Sequence, residues 1–474
     1  MTDALQADLQ NFAHLLDYTR REATAFLDGL ADRPAAVRAA ERAFRSLPPH
    51  GAGGQAALTE FLRTYAAELS GSAGARYFGY VLGGATPAAV AGDWLVSAFD
   101  QNLAATGDSV ATHVERETLT MLQELLGLPT YFIGSFVTGA TMSNFVGLAL
   151  ARQWAGHQVG VNVAQAGSQG LALPVLSAAP HSSVYKALAM LGMGRDCLHV
   201  LPTLPDGREA LDVRALEAAL GRLQGQPAVV VASAGTVNTV DFDDLAAIGE
   251  LKKKHPFWLH VDAAFGAFAA CSPTYAHLLY GIEHADSVAV DAHKWLNVPY
   301  DAAMQYTRPE HRALQVEVFQ NSASYLPAAT LDAPDFHHLT PENSRRFRAL
   351  PAWCTLLAYG REGYRELVER NCQLAQQLSQ HLAESAYFTL LAPTRLNVVC
   401  FTLEVPNGDS ASAVQRLQRW LRDDGRAFFT PTMLQGRPGL RAAFSNWRTE
   451  AADVALAWQA LQEGAAWIVE NNNV

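Results

Sequence analysis

The chain has 474 residues, 49% of them hydrophobic and 17% charged, which excludes a small binding module or a disordered polypeptide and leaves room for a large apolar core. Its formal charge of −11, with no basic block longer than Lys252-Lys253-Lys254, argues against nucleic acid or anionic membrane as the main partner and points to small molecules. Five scattered cysteines (Cys197, Cys271, Cys354, Cys372, Cys400) form no CxxC pair, so neither a disulfide framework nor a zinc ribbon is expected, and a reducing cytoplasm fits.

The first residues are acidic and amphipathic, without the basic start and apolar run of a signal peptide, and no stretch of 18 apolar residues follows, so a soluble cytoplasmic protein is expected. Leu5, Leu9, Phe12, Leu15 and Leu16 recur at helical spacing and open a helical lead-in from residue 4 to about 45, which ends at Pro48-Pro49-His50-Gly51. Helical patterns continue through 56–70 and 87–127, interrupted by the Gly- and aromatic-rich stretch Arg76–Gly84, which reads as loop. Short apolar runs then alternate with helix-length segments. The candidate strands are Leu173–Leu176, Leu198–Leu201, Ala228–Ala232, Phe257–Val261 and Ser287–Val290, with helices such as Asp212–Leu223 and Leu245–Lys254 between several of them. This alternation predicts a mostly parallel α/β architecture. Beyond residue 348, an amphipathic helix through 351–384, a strand pair at Phe388–Leu391 and Val398–Leu403, and a helix at 411–424 predict a smaller α+β domain.

Of the 35 basic residues only five are lysine: Lys186, Lys252, Lys253, Lys254 and Lys294. Lys294 follows the buried strand Val288-Ala289-Val290-Asp291, where a lysine must snorkel, pair with Asp291, or serve as a neutral nucleophilic amine. Asp262 closes the strand Trp258-Leu259-His260-Val261, at the carboxyl edge where open α/β sheets gather ligand-binding groups; an aspartate there could also cap a helix. His181 follows a third strand and precedes serines suited to capping a helix. Thr138-Gly139-Ala140-Thr141 opens a helix pattern whose free N–H groups suit a phosphate.

The order of these elements, with Lys294 standing 32 positions after Asp262, resembles the fold type I pyridoxal-phosphate enzymes, and in particular the group II amino acid decarboxylases typified by aromatic-L-amino-acid decarboxylase. The likeness runs from Tyr77 to Trp353 through Gly235-Thr236, the Asp262 strand, Asp291-Ala292-His293-Lys294-Trp295-Leu296 and Ser344-Arg345-Arg346-Phe347-Arg348; Gly436–Phe444 also looks like bacterial members. The resemblance implies a helical arm (1–75), a large cofactor domain with a mixed, mostly parallel sheet flanked by helices (76–347), a small carboxyl-terminal domain (348–474), and a homodimer. It implies that Lys294 links covalently to pyridoxal 5'-phosphate, that Asp262 pairs with the pyridine nitrogen, and that His181 lies against the ring face. It implies as well that Gly139, Ala140 and Thr141 receive the phosphate and that Thr236, Ala264 and His293 line the same pocket. Asp291 stands where the family often has asparagine.

The segment 321–343 is long for a loop inside a compact domain unless it is functional, and in the resembled family it is a mobile lid. Alignment backward from Arg345-Arg346 places Phe336 on the lid tyrosine that protonates Cα after carbon dioxide leaves. Phenylalanine gives no proton, and family members with that replacement make an aldehyde; Tyr325, His337 or His338 are the alternative donors. The expected reaction is α-decarboxylation of an L-amino acid, aromatic or apolar given Tyr77-Phe78-Gly79-Tyr80. Aldehyde formation, transamination or a non-catalytic cofactor-binding role are the alternatives.

Overall fold

The computed structural model describes residues 3–107, 109–321, 331–332, 334–405 and 409–471. Seven strands build the larger sheet: β1 (Ile133–Val137), β2 (Val175–Ser177), β3 (Leu198–Val200), β4 (Ala228–Ser233), β5 (Phe257–Asp262), β6 (Ser287–Asp291) and β7 (Ala303–Thr307), in the order β1-β7-β6-β5-β4-β2-β3. Only β7 runs against the rest. Strands β4, β5 and β6 are buried along their whole length, as expected for β-branched runs covered on both faces. The five strands expected from the sequence are present, within about three residues at each end. Strands β1 and β7 had no clear signal, because Ile-Gly-Ser-Phe-Val and Ala-Met-Gln-Tyr-Thr mix small and polar residues into the run.

The helix Ala140–Gln158 packs across β5, β6 and β7. Its close approach depends on Gly147, where a Cβ would stand 2.5 Å from Nδ1 of the buried His260. Helices Ala111–Leu125 and Ala349–Ala383 pack against each other. The latter is two helices rather than the single one expected, broken at Gly360 with φ 59°. A second, antiparallel sheet contains β8 (Phe388–Leu390), β9 (Val398–Leu403), β10 (Thr430–Leu434) and β11 (Arg437–Ala443) in the order β10-β11-β9-β8. It shares a core with the helices Ser410–Asp424 and Ala451–Glu470.

The loop Tyr77–Gly84 ties the two sheets together. Phe78 is buried in the core of the smaller sheet against Phe429 and Phe444, and its backbone bonds Phe428 and Ala443. At the amino end, the helices Asp3–Gln10 and Phe12–Asp28 and a short 3-10 turn end at Ala31, well before the expected residue 45. Pro34 follows, and its ring disfavours helical geometry in the residue before it. Leu5, Leu9, Phe12 and Leu16 are all more than half exposed. Among the described residues no helix is long and apolar enough to cross a membrane.

Candidate active site

Sheet register assembles the site. Val137 of β1 and Asp291 of β6 both pair with Ala303 of β7, so the Gly139 loop and the Asp291–Lys294 turn emerge side by side. On the other flank Asp262 is in register with Ser233 and Ala289. The carboxyl ends of β1, β2, β4, β5 and β6 therefore open on one cavity of about 470 Å³, a volume suited to a small cofactor with its substrate. Its lining includes Gly139, Ala140, Thr141, His181, Thr236, Asp262, Ala264, His293 and Lys294.

Lys294 Nζ lies 2.8 Å from Asp291 Oδ2 and over the Phe265 ring. The other Asp291 oxygen accepts the Ala140 N–H at 2.6 Å, at the amino end of the helix Ala140–Gln158, where a helix favours negative charge. His293 Nδ1 accepts the Ala302 N–H, which leaves the ring proton on Nε2, 3.4 Å from Asp291 Oδ1. Burial holds the His293 pKa below its ordinary value, against the pull of Asp291. Asp262 accepts from the Asn144 amide at 2.9 Å and from the Ala264 N–H at 3.2 Å. His181 caps the helix Ser182–Met190, its Nδ1 accepting the Ser183 N–H at 3.2 Å. Although its ring opens on the cavity, desolvation by the surrounding chain lowers its pKa, with Asp262 opposing and Lys294 adding to the shift. The Thr236 hydroxyl donates to Glu209 at 2.7 Å and accepts from the Asp241 N–H, so its hydrogen is already committed.

Phe336 does not line this cavity. It opens the short 3-10 turn Phe336–His338 outside the cavity, its ring 2% exposed. The guanidiniums of Arg345 and Arg116 lie 4.6 Å and 5.1 Å from the ring centroid. A ring there keeps both cation–π contacts and its apolar burial. His337 and His338 are buried beside it, and Tyr325 lies outside the described residues. Of the aromatic stretch 77–80, only Tyr80 reaches the cavity; Tyr77 packs on Phe428.

Sequence reasoning missed three contributors. Arg441, on β11, lines the cavity while 7% exposed. Its Nη atoms donate to the carbonyls of Val237 and Tyr80, its Nε has no hydrogen-bond partner, and among the described residues no carboxylate pairs with it. Glu209 holds Thr236 and Thr239. Gly83 backs the lysine: a Cβ on it would fall 1.9 Å from the Lys294 carbonyl oxygen and 2.9 Å from the Asn297 side chain. Gly83→Ala is therefore expected to destabilise the fold by about 1–3 kcal/mol and weaken cofactor binding, measured as a lower melting temperature and a raised dissociation constant. Unchanged values for both would show that the Lys294 turn yields freely.

The donor set fits pyridoxal phosphate: a helix amino end for the phosphate, a strand-end carboxylate for the ring nitrogen and an amine for the aldehyde. Comparison with known proteins agrees. Residues 55–404 match the model of the pyridoxal-dependent decarboxylase conserved domain. Similar proteins include phenylacetaldehyde synthase of Arabidopsis thaliana, 29% identical over 378 residues, spanning 76% of this chain and 75% of the relative. Aromatic-L-amino-acid decarboxylase of Bos taurus is also 29% identical, over 375 residues, with the same shares. Among solved structures, Oryza sativa TDC with PLP and tryptamine superposes with a TM-score of 0.89 at 24% identity, covering 97% of this chain and 98% of that one.

Proposed function

The chain belongs to the pyridoxal-dependent decarboxylase family, and on that premise we propose that it decarboxylates an aromatic L-amino acid to its amine, as a cytoplasmic homodimer. The observation that carries the reading is one cavity in which Lys294, Asp262, His181 and the helix end at Ala140 converge. Aromatic specificity is supported by relatives named for aromatic amino acids and by Tyr80 and Phe265 in the lining. Self-association is supported by the exposed apolar side chains of the amino-terminal helices, a surface that a second copy would cover.

When bound, pyridoxal phosphate supplies the electron sink for the bond broken at Cα. The chain does the rest. Thr141, with the Gly139 backbone, holds the phosphate end, Asp262 keeps a proton on the ring nitrogen, and Lys294 contributes its amine. Arg441, a buried cation without a carboxylate partner among the described residues, receives the substrate carboxylate and fixes which Cα bond is set for cleavage. His181, neutral near pH 7, faces the same substrate end as a hydrogen-bond donor.

The test is carbon dioxide and amine release from the common L-amino acids by the holoenzyme. Release from tryptophan, tyrosine or phenylalanine is expected; release from glutamate or aspartate alone would overturn the aromatic assignment. A second reading, aldehyde formation, is favoured by the likeness to phenylacetaldehyde synthase. That reaction consumes one dioxygen and one water and yields aldehyde, carbon dioxide, ammonia and hydrogen peroxide in equal amounts. Under the decarboxylase reading, amine equals carbon dioxide in air; hydrogen peroxide equal to carbon dioxide would establish the second reading instead.

A further inference from the structure

We propose that Asn144 is a positioning residue whose single amide group sets the orientation of both Asp262 and, through Ser183, His181. Asn144 sits in the helix Ala140–Gln158, is fully buried, and does not line the cavity. Its Nδ2 donates to Asp262 Oδ2 at 2.9 Å and to Ser183 Oγ at 3.0 Å. Its Oδ1 lies 2.9 Å from His260 Nε2.

These contacts fix every proton in the network. The amide nitrogen must face Asp262, because turning the carbonyl oxygen there would set acceptor against carboxylate. Asn144 Oδ1 then accepts from His260, which carries its proton on Nε2. His260 Nδ1, 2.8 Å from Ser287 Oγ, accepts the Ser287 hydroxyl hydrogen, and Ser287 in turn accepts the Trp258 Nε1–H at 2.9 Å. On the other arm, Ser183 Oγ accepts from Asn144 and so gives its own hydrogen to His181 Nδ1 at 2.7 Å. His181 Nδ1 receives the Ser183 N–H as well, so the neutral ring bears its proton on Nε2.

Burial keeps His260 neutral, its pKa lowered to about 4, with Asp262 pulling the other way. The side-chain donors of Asn144, Ser183, His260, Ser287 and Trp258 each have an acceptor within the network. Satisfied in this way around Asn144, the network specifies one arrangement of those members. Both hydrogens of the Asn144 Nδ2 lead to groups that line the cavity, Asp262 and Ser183, which a purely structural asparagine would not require.

The inference rests on the reading that Asp262 meets the cofactor ring nitrogen, and the test separates the two. Asn144→Leu removes both donors while keeping the same branching, whereas Ser183→Ala cuts only the His181 arm. In Asn144→Leu the cofactor dissociation constant, from a fluorescence titration of the apoprotein, is expected to rise about tenfold, as for loss of a hydrogen bond to a charged group. In Ser183→Ala it is expected to stay within about twofold while kcat falls about fivefold and the pH profile of kcat/KM shifts, the size expected for one neutral hydrogen bond. The double variant should be no slower than Asn144→Leu, because both cut the same arm.

An Asn144→Leu protein that only melts earlier, with cofactor affinity and kcat unchanged, would overturn the proposal. So would a Ser183→Ala protein with an unchanged pH profile, and that variant decides the matter if Asn144→Leu does not fold. If Asp262→Asn turns over normally, the underlying reading has failed. If Asp262→Asn is impaired and the Asn144 and Ser183 variants are not, only this inference has failed.

Discussion

Lys294→Ala is expected to abolish the visible absorption band of the lysine-bound cofactor and to lower kcat by about ten-thousandfold or more, the scale seen when a covalent catalytic group is removed. The fold should persist. Asp291 loses its ion pair with the lysine but keeps the Ala140 N–H, so the remaining carboxylate is not left bare at the helix end. No other lysine can substitute. Lys252 is held by Asp286, Lys253 by Glu250 and Lys254 by Glu217, while Lys186 lies exposed on the helix Ser182–Met190. Borohydride reduction of the wild-type holoenzyme, followed by peptide mapping, should find the cofactor on Lys294. Recovery of the label on Lys186 would refute the assignment, as would an unaltered absorption band in Lys294→Ala.

Asp262→Asn is expected to retain the cofactor while kcat falls about a hundredfold or more, because a neutral amide cannot hold a proton on the pyridine nitrogen as charge develops there. The exchange also disturbs the local bonding. Asp262 accepts from both Asn144 and Ala264, and an amide has only one accepting oxygen for the two donors. Asp262→Asn should therefore lose some stability as well, by about 1–3 kcal/mol for the unsatisfied buried donor. Absorbance, steady-state rate and thermal melting measured on the same preparation separate these effects. A rate within about threefold of wild type would show that ring-nitrogen protonation does not depend on Asp262; that ratio is under 1 kcal/mol.

Local sequence determined the chemical groups and the class of fold. Asp262, His181 and Lys294 each follow a short apolar run, and their order together along the chain, rather than any one of them alone, singled them out. The scarcity of lysine made Lys294 conspicuous. Strands β4, β5 and β6 were legible for the same reason: burial on both faces demands continuous apolar sequence. Strands β1 and β7 carry little of that signal.

Tertiary structure decided what depends on contacts between remote segments. The meeting of the Gly139 loop with Asp291 follows from two strands pairing with Ala303, a register that neither strand encodes alone. Asn144 reaches Asp262 across 118 positions, and Arg441 arrives from the smaller sheet to bond the carbonyls of Val237 and Tyr80. A hydrogen bond needs its partners within about 3 Å, and only packing of the helices and both sheets around one core sets distances that fine. The sequence by itself therefore determined which chemical groups stand at the strand ends, and tertiary structure decided which of them meet and what holds them in place, because chemical type is a property of the residue and position a property of the whole fold.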